Sequence, residues 1–283
     1  NATRINARYL PEVIFPPNIH CSDDYQTVLS GVQDILIVVP SAVFHANLVK
    51  LKPFLQSNQR LLWASKGLDT KKHQLLNEVV KEILGDKEMA VLSGPSFAKE
   101  VAMGLPTAIN IASENYNFAH DLLLRFQTKR FRVEITSDII GVELGGAMKN
   151  VLAIAVGITE GLGFGANAKA AVITYGLSEM IELGLVLGAK QETFLGLSGL
   201  GDLVLTCTDN QSRNRRLGLA LGRGQTLEET KKLIGTTEGY DTAKNIFYLL
   251  EKYAIKAPFC EGVYRILYEK KSPPTLFKTL FNE

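Results

Sequence analysis

The sequence predicts an α/β fold in which a parallel sheet flanked by helices is followed by an all-helical part. Up to about residue 140, short β-branched runs alternate with longer segments of helical periodicity, as successive β-α-β units require. After Ser137 and Asp138, which can cap a helix, the alternation stops and Gly-, Ala- and Leu-rich helical stretches dominate. We therefore expect a sheet domain at residues 1–137 and an all-α domain at residues 138–283.

The apolar runs of the first part are continuous rather than alternating, which is typical of parallel strands buried on both faces. They predict strands at residues 34–39, 60–64, 89–93, 107–112 and 131–135. Helical spacing of apolar residues predicts helices at 41–55 and 70–84. Ligands of open parallel sheets bind beyond the carboxyl ends of the strands, so the residues after each strand are the first candidates for a site.

Composition excludes several classes of protein. The formal charge of +2 is spread along 283 residues without a dense basic tract, so we expect no nucleic-acid partner. The three cysteines and four histidines are scattered, so we expect a reducing compartment, no disulfide framework and no metal site. The most apolar tract, at 151–158, is too short to cross a bilayer; we interpret it as a buried helix and expect no membrane partner.

Lys149 stands alone in an apolar, small-residue helical segment. Burial of an ammonium is costly and lowers the lysine pKa toward neutrality, which suits a residue that gives a proton to a carbonyl oxygen. Alternatively, Lys149 extends to the surface or pairs with Glu143. The following Asn150 is either a polar partner or a helix-end residue.

Two further clusters carry polar residues. Asp202 follows closely spaced glycines at 196–201, where its carboxylate can orient Lys149 or merely cap a helix. Arg213, Arg215 and Arg216 crowd the predicted start of a helix that ends near Gly222, although the helix dipole disfavours cations there. An anion explains this crowding, since free N–H groups, the Ser212 hydroxyl and a guanidinium suit a phosphate dianion. The alternative is a solvated basic turn facing acidic residues elsewhere.

Several known enzyme motifs are incomplete or missing in the sequence. Ser96 and Lys99 have the S-x-x-K spacing of acyl-transfer enzymes, but the companion motifs are missing, so we reject a serine hydrolase. No G-x-G-x-x-G and no P-loop occur in the sequence. If the sheet binds a dinucleotide, its first β-α-β element and phosphate loop lie upstream of residue 1. We expect a protein that begins at Asn1 to have lost dinucleotide binding and activity.

The sequence resembles the soluble bacterial-type NAD(P)-dependent glycerol-3-phosphate dehydrogenases across nearly its whole length. The motifs that carry the resemblance are Arg8-Tyr-Leu-Pro11, Ile35-Leu-Ile-Val-Val-Pro-Ser41, Trp63-Ala-Ser-Lys-Gly67, Ser93-Gly-Pro-Ser-Phe-Ala98, Gly145-Gly-Ala-Met-Lys-Asn150, Gly163-Phe-Gly-Ala-Asn167, Gly199-Leu-Gly-Asp-Leu-Val-Leu-Thr-Cys-Thr208 and Asn210-Gln-Ser-Arg-Asn-Arg-Arg216. The resemblance implies a Rossmann-like sheet domain, an NADH or NADPH cofactor, a cytoplasmic location, a role in phospholipid synthesis and a homodimer.

The resemblance also implies roles for individual residues. Lys149 would transfer the proton at the C2 oxygen, with Asp202 as its catalytic partner. The residues in contact with substrate would be Lys66, Gly94, Ser96, Lys149, Asp202, Ser212, Arg213 and Asn214. Those lining the cofactor site would be Tyr9, Lys66, Ala98, Arg213, Thr236 and Glu238. At position 236 the family more often carries an aliphatic residue.

The favoured hypothesis is reversible hydride transfer between NAD(P)H and C2 of dihydroxyacetone phosphate. A second hypothesis is another two-domain dehydrogenase that acts on a hydroxy acid and binds a carboxylate where the first binds phosphate. A third is a non-catalytic binding protein that kept the fold after losing its first β-α-β element. Retention of Lys149, Asp202 and Arg213 together argues against the third.

Overall fold

The structure is a computed structural model that describes residues 4–235 and 237–277. Its strands are β1 (Ile5–Asn6), β2 (Leu10–Ile14), β3 (Asp34–Ile37), β4 (Arg60–Trp63), β5 (Met89–Ser93), β6 (Thr107–Ala112) and β7 (Phe131–Thr136). Its helices are α1 (Tyr25–Leu29), α2 (Ser41–Leu51), α3 (Leu76–Leu84), α4 (Ala98–Ala102), α5 (Tyr116–Phe126), α6 (Ile139–Gly161), α7 (Ala166–Val186), α8 (Gln191–Leu195), α9 (Asp202–Thr208), α10 (Arg213–Gly222), α11 (Leu227–Ile234), α12 (Glu238–Tyr253) and α13 (Pro258–Tyr268).

A five-stranded sheet in the order β3-β4-β5-β6-β7 forms the centre of the first part, and β1 and β2 form a separate antiparallel hairpin. The sheet is parallel, as predicted, except that β5 and β6 pair antiparallel. Helix α4, between these two strands, has only five residues. Such a helix is too short to cross a sheet face and return the chain to the start of a parallel neighbour. The second half of β6, residues 110–112, therefore lies beside the carboxyl end of β5.

The largest shift from the predicted elements concerns the helix at residues 70–84. In the structure α3 begins only at Leu76. The Asp69 carboxylate accepts hydrogen bonds from the backbone N–H groups of Lys71 (3.1 Å) and Lys72 (2.8 Å). These bonds hold the segment in a turn and delay the start of the helix.

Helix α6 is the central element of the second part. Asp138 caps it, as the sequence predicts, by accepting a hydrogen bond from the Gly141 backbone N–H at 2.9 Å. The helix is long and apolar enough to cross a membrane, but 94% of its most apolar window is buried inside the protein. It is therefore a core helix, around which α7, α9, α10, α12 and α13 pack, and the interpretation of residues 151–158 as a buried helix is confirmed.

Glycines allow α6 and α10 to approach with their backbones in contact. A Cβ atom added at Gly157 would lie 2.1 Å from the Arg215 carbonyl oxygen, and one added at Gly218 would lie 2.0 Å from the Ile154 carbonyl oxygen. Both obstacles are backbone atoms, which a rotamer change cannot move. The crossing therefore fixes the first turn of α10 relative to the middle of α6.

We expect Gly218→Ala to destabilise the protein, because the added methyl group forces the two helices apart. Overpacking of this kind typically costs about 1–3 kcal/mol, and thermal melts of the variant would measure the loss. Gly165→Ala is the matched control, since a Cβ there meets no atom within 4 Å. An unchanged melting temperature for Gly218→Ala would contradict the close crossing.

Candidate active site

Three charged side chains from distant parts of the chain meet at the carboxyl edge of the sheet. Lys149 of α6 donates a hydrogen bond to Asp202 Oδ1, and Lys66, in the loop after β4, donates to Asp202 Oδ2 at 2.6 Å. Lys66 Nζ also donates to the Gly94 carbonyl, 3.0 Å away, and so does the Ser96 hydroxyl at 3.0 Å. The sequence motifs after β4 and β5, in the middle of α6 and at the start of α9 thus form one cluster.

Lys149 neither reaches the surface nor pairs with Glu143, so both structural alternatives for this lysine are wrong. Only 6% of Lys149 is exposed. Glu143 instead accepts hydrogen bonds from Trp63 Nε1 at 3.0 Å and from the Asn77 backbone N–H at 3.2 Å. Burial raises the pKa of Glu143 to about 8, while its hydrogen bonds with Asn77 and Trp63 oppose the rise.

The environment of Lys149 brings its pKa close to neutrality. Burial lowers it most, and the nearby Lys66 ammonium lowers it further, while the Asp202 carboxylate opposes both; the resulting pKa is about 7. A group with this pKa can both give and take a proton near neutral pH. Two ammonium groups share one carboxylate here, so the cluster carries net positive charge when all three groups are ionised.

A π-helical turn, Leu197–Gly201, ends directly before Asp202, within hydrogen-bonding reach of both lysines. A Cβ at Gly145 would lie 2.4 Å from the Ser198 carbonyl oxygen, so glycine lets this turn contact the backbone of α6. The Asp202 side chain is 1% exposed and makes no helix-capping hydrogen bond. The alternative that Asp202 is only a cap is wrong.

The first turn of α10 lies next to Lys149. Asn214 Nδ2 donates to Asn150 Oδ1 at 2.9 Å, and Asn214 Oδ1 accepts from the Gly239 backbone N–H at 3.0 Å. Asn150 is thus a polar partner rather than a helix-end residue. It follows Lys149 directly, so this amide pair joins the lysine to the start of α10.

The arginines of α10 differ in their surroundings. Arg215 is buried and pairs with Glu160 at 2.6 Å, so the acidic-partner alternative describes this residue. Arg213 and Arg216 are exposed, and neither forms an ion pair with any residue in 4–235 or 237–277. Ser212 caps the helix by accepting from the Arg215 N–H at 3.2 Å. Arg213 is thus a cation at a helix N-terminus that forms no salt bridge within the described part of the chain.

Glu238, the first residue of α12, shows that Lys149 and Arg213 face a common region. Burial raises the pKa of its carboxyl, and the charges of Lys66, Lys149 and Arg213 act on the same carboxyl in the opposite direction. Charges act strongly only over short distances in a protein. The amide pair and Glu238 therefore both place the two cations on one side of the molecule.

Polar groups near the end of β4 fit one wall of a dinucleotide site. Gly67 has a φ of +145°, and a Cβ there would lie 2.4 Å from Ser41 Oγ, at the start of α2, and 3.4 Å from Thr242 Oγ1. The buried Thr242 hydroxyl has no hydrogen-bond partner in the described part of the chain, and the start of α2 has no side-chain cap. Such unpaired polar groups suit a ligand that itself carries polar groups.

The remaining residues predicted to line a cofactor site are dispersed. Tyr9 lies in the turn of the β1-β2 hairpin, 69% exposed, beside the Arg8 guanidinium. Ala98 is the exposed first residue of α4, whose Lys99 pairs with Glu12 of the hairpin at 3.0 Å. Thr236 lies outside the described residues. Among those that the structure describes, no group of His, Cys, Asp or Glu is arranged to hold a metal ion.

Sequence reasoning missed two residues: Thr206, which contacts Asp202, and Asn110, which contacts the π-helical turn before Asp202. Thr206 Oγ1 donates to the Asp202 carbonyl at 2.6 Å, and its position four residues after Asp202 on a helix was the available signal. Asn110 accepts hydrogen bonds from Ser198. The available signal for Asn110 was a single amide side chain within the otherwise apolar run of β6.

Comparison with known proteins agrees with this geometry. Residues 1–119 match the family model described as NAD-dependent glycerol-3-phosphate dehydrogenase N-terminus, and residues 138–278 match the corresponding C-terminus model. A curated glycerol-3-phosphate dehydrogenase (NAD(P)+) of Sodalis glossinidius is 50% identical over 274 residues, which are 96% of this chain and 81% of the relative.

Solved structures give the same family. A glycerol-3-phosphate dehydrogenase from Coxiella burnetii has a TM-score of 0.96 and 50% identity, covering 100% of this chain and 87% of the other. One from Saccharomyces cerevisiae has a TM-score of 0.86 and 29% identity, covering 98% and 83%. The chain belongs to the NAD-dependent glycerol-3-phosphate dehydrogenase family.

Proposed function

We propose that the protein interconverts dihydroxyacetone phosphate and sn-glycerol 3-phosphate with NADH or NADPH. The observation that carries the proposal is the buried Lys149–Asp202 pair, joined through Asn150 and Asn214 to a helix start that presents Arg213. One end of this arrangement can move a proton and the other can hold a dianion. Family membership supports the same reaction.

In the proposed complex the substrate phosphate lies at the start of α10. The helix dipole, the Arg213 guanidinium and the Asn214 amide favour an anion there, and Ser212 shapes this turn as its cap. Lys66, Gly94 and Ser96 would contact the rest of the substrate from the sheet side. A substrate held at both ends keeps C2 in a fixed position, which is the main contribution of binding to such a reaction.

In the proposed mechanism Lys149 donates its proton to the C2 oxygen during reduction and accepts it back during oxidation. Asp202 holds the ammonium in place. A bound NADH or NADPH would supply the hydride, and the residues that would hold it are Tyr9, Lys66, Ala98, Arg213, Thr236 and Glu238. The chain's part is thus to orient the substrate and manage one proton.

A substrate panel tests the proposal against a hydroxy-acid dehydrogenase. We expect the full-length protein to reduce dihydroxyacetone phosphate, with kcat/KM far above that for dihydroxyacetone or for 2-keto and 3-keto acids. Comparable rates with non-phosphorylated keto acids would favour the second hypothesis. Absence of oxidoreductase activity on every substrate, in protein shown to bind NADH, would favour a non-catalytic binding protein.

The two directions of the reaction should depend oppositely on pH. Reduction needs Lys149 as the ammonium, and oxidation needs it as the neutral amine. Because its pKa in the folded protein is lowered to about 7, kcat/KM for reduction should fall as pH rises through this value, while kcat/KM for oxidation rises over the same interval. Profiles of kcat/KM report the free enzyme, to which this pKa applies. Profiles that rise together in both directions would contradict the role of Lys149.

We also propose a cytoplasmic location, a homodimeric assembly and a role in phospholipid synthesis, because these accompany the family resemblance. The burial of α6 in the core supports a protein that acts outside the membrane. Sedimentation of the full-length protein would measure its assembly.

A further inference from the structure

Asn110 lies at the carboxyl edge of the sheet because β6 runs antiparallel to β5. Its ladder partner is Ser93, the last residue of β5. Gly94 follows directly, and a Cβ there would lie 3.0 Å from the Ile109 Cα. The Asn110 amide is therefore next to the loop that carries Gly94 and Ser96, although no site residue was expected on β6.

The Asn110 side chain accepts two hydrogen bonds from one residue of the second part. Its Oδ1 accepts from the Ser198 backbone N–H at 3.1 Å and from the Ser198 hydroxyl at 2.9 Å. Ser198 is fully buried and is the second residue of the π-helical turn. The first N–H groups of a helix have no partner within the helix, so Asn110 satisfies a donor that would otherwise be buried without one.

Backbone contacts confine this turn on its other sides. The Ser198 carbonyl lies against Gly145 of α6, and a Cβ at Gly199 would lie 2.1 Å from the Phe194 carbonyl oxygen. The turn closes with a hydrogen bond from the Gly201 N–H to the Gly196 carbonyl at 3.1 Å. Asp202 follows immediately, so a shift of the turn becomes a shift of the carboxylate.

We propose that Asn110 is a positioning residue, which acts through Ser198 and the π-helical turn to hold the Asp202 carboxylate against Lys149 and Lys66. This inference rests on the proposed function of the lysine–aspartate pair. Asn110 itself touches none of the three charged groups. Its hydrogen bonds set the distance between the sheet edge and the turn, and thereby the placement of the proton-transfer group.

Replacement of Asn110 by leucine tests the proposal, since it removes the acceptor and keeps a side chain of similar size. We expect kcat for reduction to fall about 10- to 100-fold, because a misplacement of about 1 Å can reduce the rate about 100-fold. KM for dihydroxyacetone phosphate should change less than kcat, because Arg213 and Asn214, which hold the phosphate, are not displaced.

The pH profile separates positioning from a general loss of stability. The charged or titratable groups that interact electrostatically with Lys149 are Asp202, Lys66, Glu238 and Cys207. Of these, Asp202 raises the pKa of Lys149. If Asn110→Leu moves Asp202 away, that pKa falls further, and reduction loses activity at a lower pH than in the wild-type protein. Asn110→Asp keeps an acceptor for Ser198 and should restore most of kcat.

Asn115→Leu is the matched control. Asn115 lies after β6 and caps α5 by accepting a hydrogen bond from the Phe118 N–H at 3.1 Å. The leucine variant thus also removes an asparagine acceptor, but one outside the site. This variant should lose stability but keep the wild-type pH profile. A wild-type kcat and pH profile in Asn110→Leu would overturn the inference while leaving the proposed function intact.

A crystal structure of Asn110→Leu gives a readout that does not depend on activity. We expect the turn and Asp202 to be displaced and the 2.6 Å contact between Asp202 Oδ2 and Lys66 Nζ to be lost. An unmoved Asp202 overturns the inference even if the wild-type protein turns over none of the substrates. If the leucine variant does not fold, the same comparison is made with Asn110→Ser.

Discussion

Replacement of Lys149 by alanine should reduce kcat for dihydroxyacetone phosphate by about 10²- to 10⁴-fold, the usual contribution of a general acid. The variant retains Asp202 and Lys66, which pair at 2.6 Å, so the Asp202 carboxylate keeps a cationic partner. Binding of NADH, followed by fluorescence titration, should change little, because Lys149 is assigned to the substrate oxygen and not to the cofactor.

Lys169→Ala is the matched control for this variant. Lys169 lies on α7, is partly exposed and pairs with Glu160 at 3.4 Å, away from the Asp202 cluster. Glu160 keeps Arg215 as its partner in the control, so kcat should remain near the wild-type value. Near-normal turnover in Lys149→Ala would remove this lysine from its proposed role, whatever the control does.

Replacement of Arg213 by alanine should reduce kcat/KM for dihydroxyacetone phosphate by about 10- to 100-fold. Hydrogen bonds to charged groups contribute about 1.5–3 kcal/mol, and each 1.4 kcal/mol is a factor of ten. The reduction should be much smaller for dihydroxyacetone, which has no phosphate for the guanidinium to bind. The ratio of the two kcat/KM values therefore isolates the phosphate contact.

Arg216→Ala is the control for charge at the same helix. Arg216 is exposed and lies in the next turn, and it carries the same charge as Arg213. A long-range effect of positive charge on an anionic substrate would appear in both variants and would weaken with added salt. An equal loss in Arg213→Ala and Arg216→Ala would contradict a specific phosphate contact at Arg213.

The sequence predicted the order of elements well and singled out the residues that the candidate site brings together, because both depend on local pattern. The strands at 89–93 and 107–112 agree with the structure residue for residue. Lys149 is conspicuous because a lone ammonium in an apolar helix is unusual. The Asp202 turn is conspicuous because closely spaced glycines indicate close backbone packing.

The sequence pattern alone could not predict which distant segments of the chain pair with each other. The antiparallel placement of β6 follows from the shortness of α4, which helical periodicity over so few residues does not reveal. The sharing of Asp202 by Lys66 and Lys149 brings together three motifs far apart in the chain. Arg215 and Arg213 look alike in sequence, and only the position of Glu160 on α6 assigns Arg215 to the core.

A crystal structure of the protein with bound sn-glycerol 3-phosphate tests the central claim most directly. We expect the phosphate at the first turn of α10, in contact with Arg213 and the Asn214 amide, and the C2 oxygen within hydrogen-bonding distance of Lys149 Nζ. A phosphate bound elsewhere, or a C2 oxygen out of reach of Lys149 in a complex that turns over in the crystal, would contradict the account.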